Sequence, residues 1–124
     1  MEHWHRSGQA LLNEISSTGS RQPAGRLVYR PVRFIFKYED TVVCIDPVLS
    51  DLTGPSGSRR CYPAPFAPEA LRADLVLCTH GHADHMAKDT LRGLARHPAA
   101  RFVLPAGCSA LAAEYGIPAD RITT

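Results

Sequence analysis

Three histidines and one aspartate lie within six consecutive positions of the chain, at His80, His82, Asp84 and His85. Imidazole nitrogens and carboxylate oxygens are common ligands of zinc, manganese and iron. The spacing does not suit ligands on one helix face, which lie three or four residues apart, so it favours a loop. His80 and His82 can point toward one ion, whereas Asp84 and His85 can turn toward a second. The motif therefore predicts a metal site.

The residues around this motif support the same interpretation. The apolar run Leu75-Val76-Leu77-Cys78 predicts a buried strand directly before it, and Gly81 gives the loop backbone freedom. A histidine-rich tract can also be a solvated loop without any ligand role. The density of ligand-type side chains behind a strand favours metal binding instead.

The composition is that of an ordinary globular domain. The chain has 124 residues, of which 44% are hydrophobic and 21% charged, and its net charge is +2. Its scattered basic residues give no reason to expect nucleic-acid binding. No apolar run approaches a membrane span, and the N-terminal residues lack the apolar core of a signal peptide, so we expect no membrane association.

The cysteines favour a reducing compartment. The chain has four, and they are widely spaced: Cys44, Cys61, Cys78 and Cys108. Two of them lie inside apolar strand patterns, where a free cysteine behaves as a small hydrophobe. A disulfide framework is therefore not expected, and the cytoplasm is the predicted location.

The remaining pattern indicates alternating strands and helices, as in an α/β layered domain. Residues 1–25 are expected to form an N-terminal helix, over 8–16, and a flexible connector, and residues 26–124 the main domain. Pro31 is expected to interrupt the first strand run or to mark an edge of it, and Asp89 to cap the helix that follows the metal motif. The expected strands are 27–37, 41–46, 75–78 and 101–104, and the later helices are 90–97 and 109–115.

The motif and its flanks resemble the metallo-β-lactamase-fold hydrolases, over about residues 27–124. His-x-His-x-Asp-His after an apolar strand is the signature of that family, and residues 34–37 and 42–51 look like its opening hairpin and Asp-Pro turn. Residues 101–105 and 115–122 resemble the branch that contains the L-ascorbate-6-phosphate lactonases. The resemblance implies an α/β fold, the N-terminal half of a metallo-β-lactamase-like αββα sandwich.

The later ligands of that family do not follow in this sequence. We therefore expect either the N-terminal half of a longer enzyme or a truncated relative. One face of the sheet would then lack its covering layer. This predicts self-association of the chain or a missing C-terminal half.

The resemblance also implies roles for the ligand residues. His80 and His82 belong to a first ion, and Asp84 and His85 to a second. The cofactor is a divalent metal, manganese or zinc, and the lactonase branch favours manganese. The implied activity is hydrolysis of a cyclic ester by a metal-activated hydroxide, with Asp84 as the catalytic residue that passes a proton to the leaving group.

Three further residues receive weaker assignments. Asp46 is expected either to orient a ligand histidine through its other ring nitrogen or to be a plain turn residue. Arg59 and Arg60 either contact a small anionic substrate or form a solvated pair. Two alternative functions stay open: a phosphodiesterase or nuclease of the same fold, and a non-catalytic metal-binding fragment.

Overall fold

The computed structural model describes residues 8–17, 25–27, 34–52 and 63–124. These residues form a six-stranded sheet with helices between its later strands. The helices are α1 (Gly8–Ser17), α2 (Lys88–Leu94) and α3 (Ser109–Glu114), and the strands are β1 (Gly25–Leu27), β2 (Phe34–Tyr38), β3 (Thr41–Ile45), β4 (Leu75–Leu77), β5 (Arg101–Val103) and β6 (Ile122–Thr123). Short 3-10 turns lie at Pro68–Ala70, Ala106–Cys108 and Ala119–Arg121.

The strands lie side by side in the order in which they occur along the chain. β1, β2 and β3 pair antiparallel, and β3 to β6 pair parallel. The β2–β3 hairpin turns at Glu39 and Asp40, and Glu39 has a left-handed backbone with φ of 51°. Parallel neighbours need a crossover, and α2 and α3 provide it between β4, β5 and β6.

One row of side chains across the sheet forms the centre of the core. Ile35, Cys44, Val76 and Phe102 are register partners on neighbouring strands, and each is fully buried. Side chains from all three helices belong to the same hydrophobic cluster: Leu11, Ile15, Leu91, Leu94 and Ala112. The helices therefore cover this face of the sheet, and α1 shares the core of the main domain.

The opposite face of the sheet is apolar but only partly buried. Its side chains alternate with the core row, as strand geometry requires. Its half-buried members are Phe34, Phe36, Val43, Ile45, Leu75, Leu77 and Val103. Self-association through this face stays a prediction.

Most predicted elements are present, but their bounds differ by a few residues, and the helix predicted over 90–97 spans Lys88–Leu94. Two further details differ. The first strand run is two strands, because β1 ends at Leu27 and β2 begins at Phe34; residues 28–33, with Pro31, lie outside the described residues. Asp89 does not cap α2. The cap is Ala87, and Asp89 lies in the first turn, where its charge favours the positive end of the helix dipole.

Cysteine state and membrane spans were also predicted. Cys44, Cys78 and Cys108 are free, and Cys61 lies outside the described residues. Within the described part of the chain, no helix has the length and apolar character to cross a membrane.

Candidate metal centre

The predicted ligands lie where two parallel strands end at the same edge of the sheet. Asp46 follows β3, and the metal loop, Thr79–His85, follows β4 after one residue. The Asp46 N–H donates to the Leu77 carbonyl at 2.8 Å, so the two strand ends stay paired up to the loop. The carboxyl edge of parallel strands is the usual location of ligand sites in α/β sheets.

The metal loop is closed by its own backbone. The His82 carbonyl accepts hydrogen bonds from the N–H groups of His85 and Met86, at 2.9 and 2.8 Å. Met86 is fully buried, and its carbonyl accepts a hydrogen bond from the Tyr115 hydroxyl at 3.3 Å. The end of the loop is therefore fixed to α3.

The glycine of the loop permits a close approach to the start of α3. A Cβ atom at Gly81 would lie 3.1 Å from the sulfur of Cys108. That distance is shorter than ordinary van der Waals contact between carbon and sulfur, so a side chain here would push the loop away from α3. Gly81 does not have a positive φ, so the structure accounts for this glycine by space and not by the backbone freedom that the sequence suggests.

The ligand side chains converge at the surface of this edge. Ligand atoms of His80, His82 and Asp84 lie within 4.8 Å of one another. The His80 ring centroid is 4.7 Å from that of His82 and 3.8 Å from that of His85. His85 Nε2 lies 3.4 Å from Asp84 Oδ2, so the fourth ligand joins the same cluster.

This donor set fits a divalent transition ion. Metal bonds to nitrogen and oxygen are about 2 Å long, so two ligands of one ion lie at most about 4 Å apart. The separation of up to 4.8 Å between ligand atoms exceeds that limit by less than 1 Å. The Asp84 side chain is 53% exposed, which leaves the centre open to solvent on one side. An open position is typical of catalytic rather than structural metal sites.

Asp46 lies directly behind this cluster and is only 5% exposed. Its Oδ1 accepts the Thr79 N–H at 2.8 Å, and its Oδ2 accepts the Thr79 hydroxyl at 2.8 Å. The same Oδ2 lies 2.9 Å from His85 Nδ1. Burial alone raises the pKa of Asp46, but the hydrogen bonds from His85 and from the amide and hydroxyl of Thr79 outweigh it and lower the pKa below the ordinary value.

The backbone at Asp46 is left-handed, with φ of 47°. Aspartate and asparagine tolerate this conformation better than most residues. The next residues are held by Thr90 of α2, whose hydroxyl contacts the Leu49 N–H at 2.9 Å and the Ser50 hydroxyl at 2.7 Å. The turn that carries Asp46 is thus fixed from both sides.

A family model described as a beta-lactamase superfamily domain matches residues 41–124, which include the whole of this site. The chain belongs to the β-lactamase superfamily. The matched region begins at β3 and so contains the hairpin strand that leads to Asp46. The predicted metallo-β-lactamase type of α/β fold is therefore confirmed.

Two sequence relatives carry the comparison further. An uncharacterized protein of Mycobacterium tuberculosis is 40% identical over 84 residues, which are 64% of this chain and 23% of that protein. The 4-amino-L-phenylalanyl-(CmlP-peptidyl-carrier-protein) 3-hydroxylase of Streptomyces venezuelae is 33% identical over 81 residues, which are 65% of this chain and 15% of that enzyme. The chain thus spans a quarter or less of the length of these superfamily relatives.

A solved structure has a similar fold. A variant of the CmlA beta-hydroxylase superimposes with a TM-score of 0.53 at 24% sequence identity, over 84% of this chain and 21% of that one. At this identity the likeness supports the fold alone. The comparisons do not confirm the resemblance to the ascorbate-6-phosphate lactonase branch.

The structure brings most of the predicted site residues together. His80, His82, Asp84 and His85 form one cluster, and Asp46 contacts His85 as an orienting role requires. The division of these ligands between two ions stays a prediction. Arg59 and Arg60 lie outside the described residues.

From the sequence, Thr79 is expected only to be a structural hydroxyl under the motif. Thr79 contacts both Asp46 and His80, with its Oγ1 2.9 Å from His80 Nδ1. Its position at a strand end, directly before the first ligand, was the signal available. The sequence could not reveal its partner Asp46, because the two are 33 positions apart.

Proposed function

We propose that this chain carries the metal-binding centre of a metal-dependent hydrolase of the β-lactamase superfamily. The observation that supports the proposal is the convergence of His80, His82, Asp84 and His85 at the carboxyl edge of the parallel strands. Three imidazoles and one carboxylate supply nitrogen and oxygen donors without a thiolate. Zinc and manganese both accept such a set, and the complete site is proposed to hold two ions.

A divalent ion bound there supplies a Lewis acid, which polarises the oxygen under attack and lowers the pKa of water. The chain's own residues hold and complete this chemistry. Asp46 orients the His85 ring from behind, since its Oδ2 contacts the Nδ1 and leaves Nε2 for the ion. Asp84 has an accessible carboxylate, which suits the proposed role of passing a proton to the leaving group.

The proposed substrate is a small anionic molecule with a cyclic ester, as for a lactonase. The resemblance of residues 101–105 and 115–122 to the lactonase branch supports this choice and favours manganese. Arg59 and Arg60 are proposed to contact the substrate's negative charge. The free, buried thiols of Cys44 and Cys78 support the cytoplasm as the proposed location.

Metal binding is tested by the content of tightly bound metal in the purified chain. After incubation with Mn²⁺ or Zn²⁺ and dialysis, His82→Ala should retain much less metal than the wild type, because His82 is a ligand with little structural contact. His97→Ala is the matched control, since His97 lies outside the loop and its Nε2 contacts the Glu69 carbonyl at 3.2 Å. Equal metal content in the wild type and His82→Ala would refute the metal site.

Hydrolysis is tested with a panel of sugar-acid lactones and phosphoesters and with added Mn²⁺ or Zn²⁺. The proposal predicts turnover that depends on the ion and falls in Asp84→Asn, because asparagine cannot pass a proton. Arg101→Gln, an exposed change on β5, is the control and should leave turnover unchanged. Metal-loaded protein without hydrolysis of any lactone or phosphoester would reject the hydrolase assignment and keep the metal site.

A hydroxylase is the second candidate function. It is favoured by the 33% identity to the hydroxylase of Streptomyces venezuelae over 81 residues. The same nitrogen and oxygen donors suit iron. Loading the chain with Fe²⁺ and measuring dioxygen consumption separates the candidates, because hydrolysis proceeds without dioxygen and hydroxylation requires it.

A further inference from the structure

Thr79 contacts a buried carboxylate on one side and a metal-ligand histidine on the other. Its Oγ1 lies 2.8 Å from Asp46 Oδ2 and 2.9 Å from His80 Nδ1. We propose that Thr79 is a positioning residue that holds the neutral His80 ring with its proton on Nδ1, which leaves the Nε2 lone pair free for a metal ion. The inference rests on the metal-binding function proposed above and extends it to a residue outside the ligand set.

The direction of the hydrogen bonds follows from proton counting. A threonine hydroxyl carries one proton and accepts with its lone pairs, whereas an ionised carboxylate only accepts. The Thr79 hydroxyl must therefore donate to Asp46. It has no second proton to give to His80, so the short contact to Nδ1 requires that the imidazole donates.

The same carboxylate oxygen acts on the second histidine directly. Asp46 Oδ2 lies 2.9 Å from His85 Nδ1, so that ring also carries its proton on Nδ1. One buried oxygen thus sets the tautomer of two ligands, of His85 by contact and of His80 through Thr79. Both rings then present the same nitrogen, Nε2, to the centre.

The Thr79 backbone makes this arrangement rigid. Its N–H donates to Asp46 Oδ1 at 2.8 Å, which fixes the rotation of the carboxylate about its own bond. Asp46 is only 5% exposed, so little water reaches its carboxylate, whereas Thr79 is exposed. Serine retains the hydroxyl at this position, whereas valine matches the shape of threonine and lacks the hydroxyl.

Histidine tautomers are read by long-range proton–nitrogen NMR correlations on ¹⁵N-histidine-labelled, metal-free protein at a pH where the rings are neutral. We expect the Nδ1–H form for His80 in the wild type and in Thr79→Ser. In Thr79→Val, His80 should shift toward the Nε2–H form, while His85 keeps Nδ1–H because it contacts Asp46 directly. His85 is thus an internal control for folding of the site.

Metal affinity gives the second readout. Competition of Zn²⁺ against a chromophoric chelator should show about a 10–100-fold loss in Thr79→Val, the usual effect of removing a hydrogen-bond partner of a ligand histidine, and near wild-type affinity in Thr79→Ser. A tautomer shift in a chain whose wild type binds no Zn²⁺ would support the Thr79 role and refute the metal proposal.

Two results would overturn the inference. One is an Nε2–H tautomer for His80 in the wild type, a measurement that needs no variant to fold. The other is an unchanged Nδ1–H tautomer in a folded Thr79→Val, because the hydroxyl would then have no influence on the ring.

Discussion

Removal of the Asp46 carboxylate tests how much the hydrogen bonds behind the candidate site contribute to the free energy of unfolding. Asp46→Ala removes the acceptor for three donors: the N–H and hydroxyl of Thr79 and the Nδ1–H of His85. Asp46→Asn keeps one carbonyl acceptor and the tolerance for a φ of 47°, but it loses the charge. The pair therefore separates the loss of charge from the loss of the whole hydrogen-bonded group.

The magnitude follows from the number and exposure of these hydrogen bonds. Each hydrogen bond to a charged group is worth about 1.5–3 kcal/mol, and a left-handed alanine costs about 1–2 kcal/mol. Thr79 is exposed and the His85 side chain is 17% exposed, so water replaces part of what is lost. We expect Asp46→Ala to lower the free energy of unfolding by about 3–5 kcal/mol, and Asp46→Asn by about 1–2 kcal/mol.

The assay is equilibrium unfolding in urea, with the midpoint and slope fitted separately for each variant. Asp120→Asn is the matched control, because Asp120 is exposed in the 3-10 turn Ala119–Arg121 and should change stability by less than about 0.5 kcal/mol. If both Asp46 variants stay within about 0.5 kcal/mol of the wild type, the carboxylate does not organise the loop and the reasoning is refuted.

Three further outcomes are expected from the glycines and the thiols. Gly93→Ala should destabilise the protein by about 1–3 kcal/mol, because the added Cβ would lie 2.6 Å from a proline ring. Gly116→Ala should lower the free energy of unfolding by about 1 kcal/mol, because the φ of Gly116 is 82°. Gly107→Ala should lower it less, because a Cβ atom at either glycine meets no neighbour within 4 Å and Gly107 has no positive φ. Burial raises the pKa of Cys44 and of Cys78 to about 12, so both thiols should resist alkylation at pH 8 in the folded protein.

Each of these expectations has a direct measurement. Urea unfolding decides the glycine variants, and a Gly93→Ala protein as stable as the wild type would show that α2 shifts freely. Mass spectrometry after timed alkylation decides the thiols, and rapid labelling of Cys44 would contradict its burial. The raised thiol pKa values also set the direction of the pH dependence, because the folded protein keeps its thiol protons to a higher pH than the unfolded chain. The contribution of each thiol to the free energy of unfolding is fully present below pH 9 and falls as the pH rises toward 12, by about 1.4 kcal/mol per pH unit.

The ligand cluster was readable from the sequence because its members are neighbours in the chain. Residue type and spacing alone predict a ligand role, without knowledge of the fold, for His80, His82, Asp84 and His85. The residues that hold these ligands in place could be predicted only in part. Asp46 was recognised as a candidate for orienting a ligand, but its shared contact with Thr79 and His85 depends on two strand ends that meet through the sheet.

The secondary structure shows the same division between local and tertiary information. The hairpin of β2 and β3 and the helices followed from alternation, turn residues and apolar spacing. The N-cap of α2 did not follow from the sequence. Asp89 is a residue type that often caps helices, but the helix begins at Lys88, after Met86 and Ala87, which are buried in the core. The residue preferences of helix N-caps do not tell which residues before a helix are buried by the rest of the fold.

The order of the strands has a consequence for how the molecule is assembled. Among the described residues, each strand from β2 to β6 pairs with the strand that precedes it in the chain. No strand has to be inserted between two neighbours that already pair, so the sheet can grow from one edge as the chain leaves the ribosome. The two strand ends that carry Asp46 and the metal loop become neighbours when β4 pairs with β3, and this pairing uses no residue of β5 or β6. The backbone frame of the candidate centre therefore depends on β3 and β4, and the Tyr115 hydroxyl at the end of α3 adds a contact from a later part of the chain.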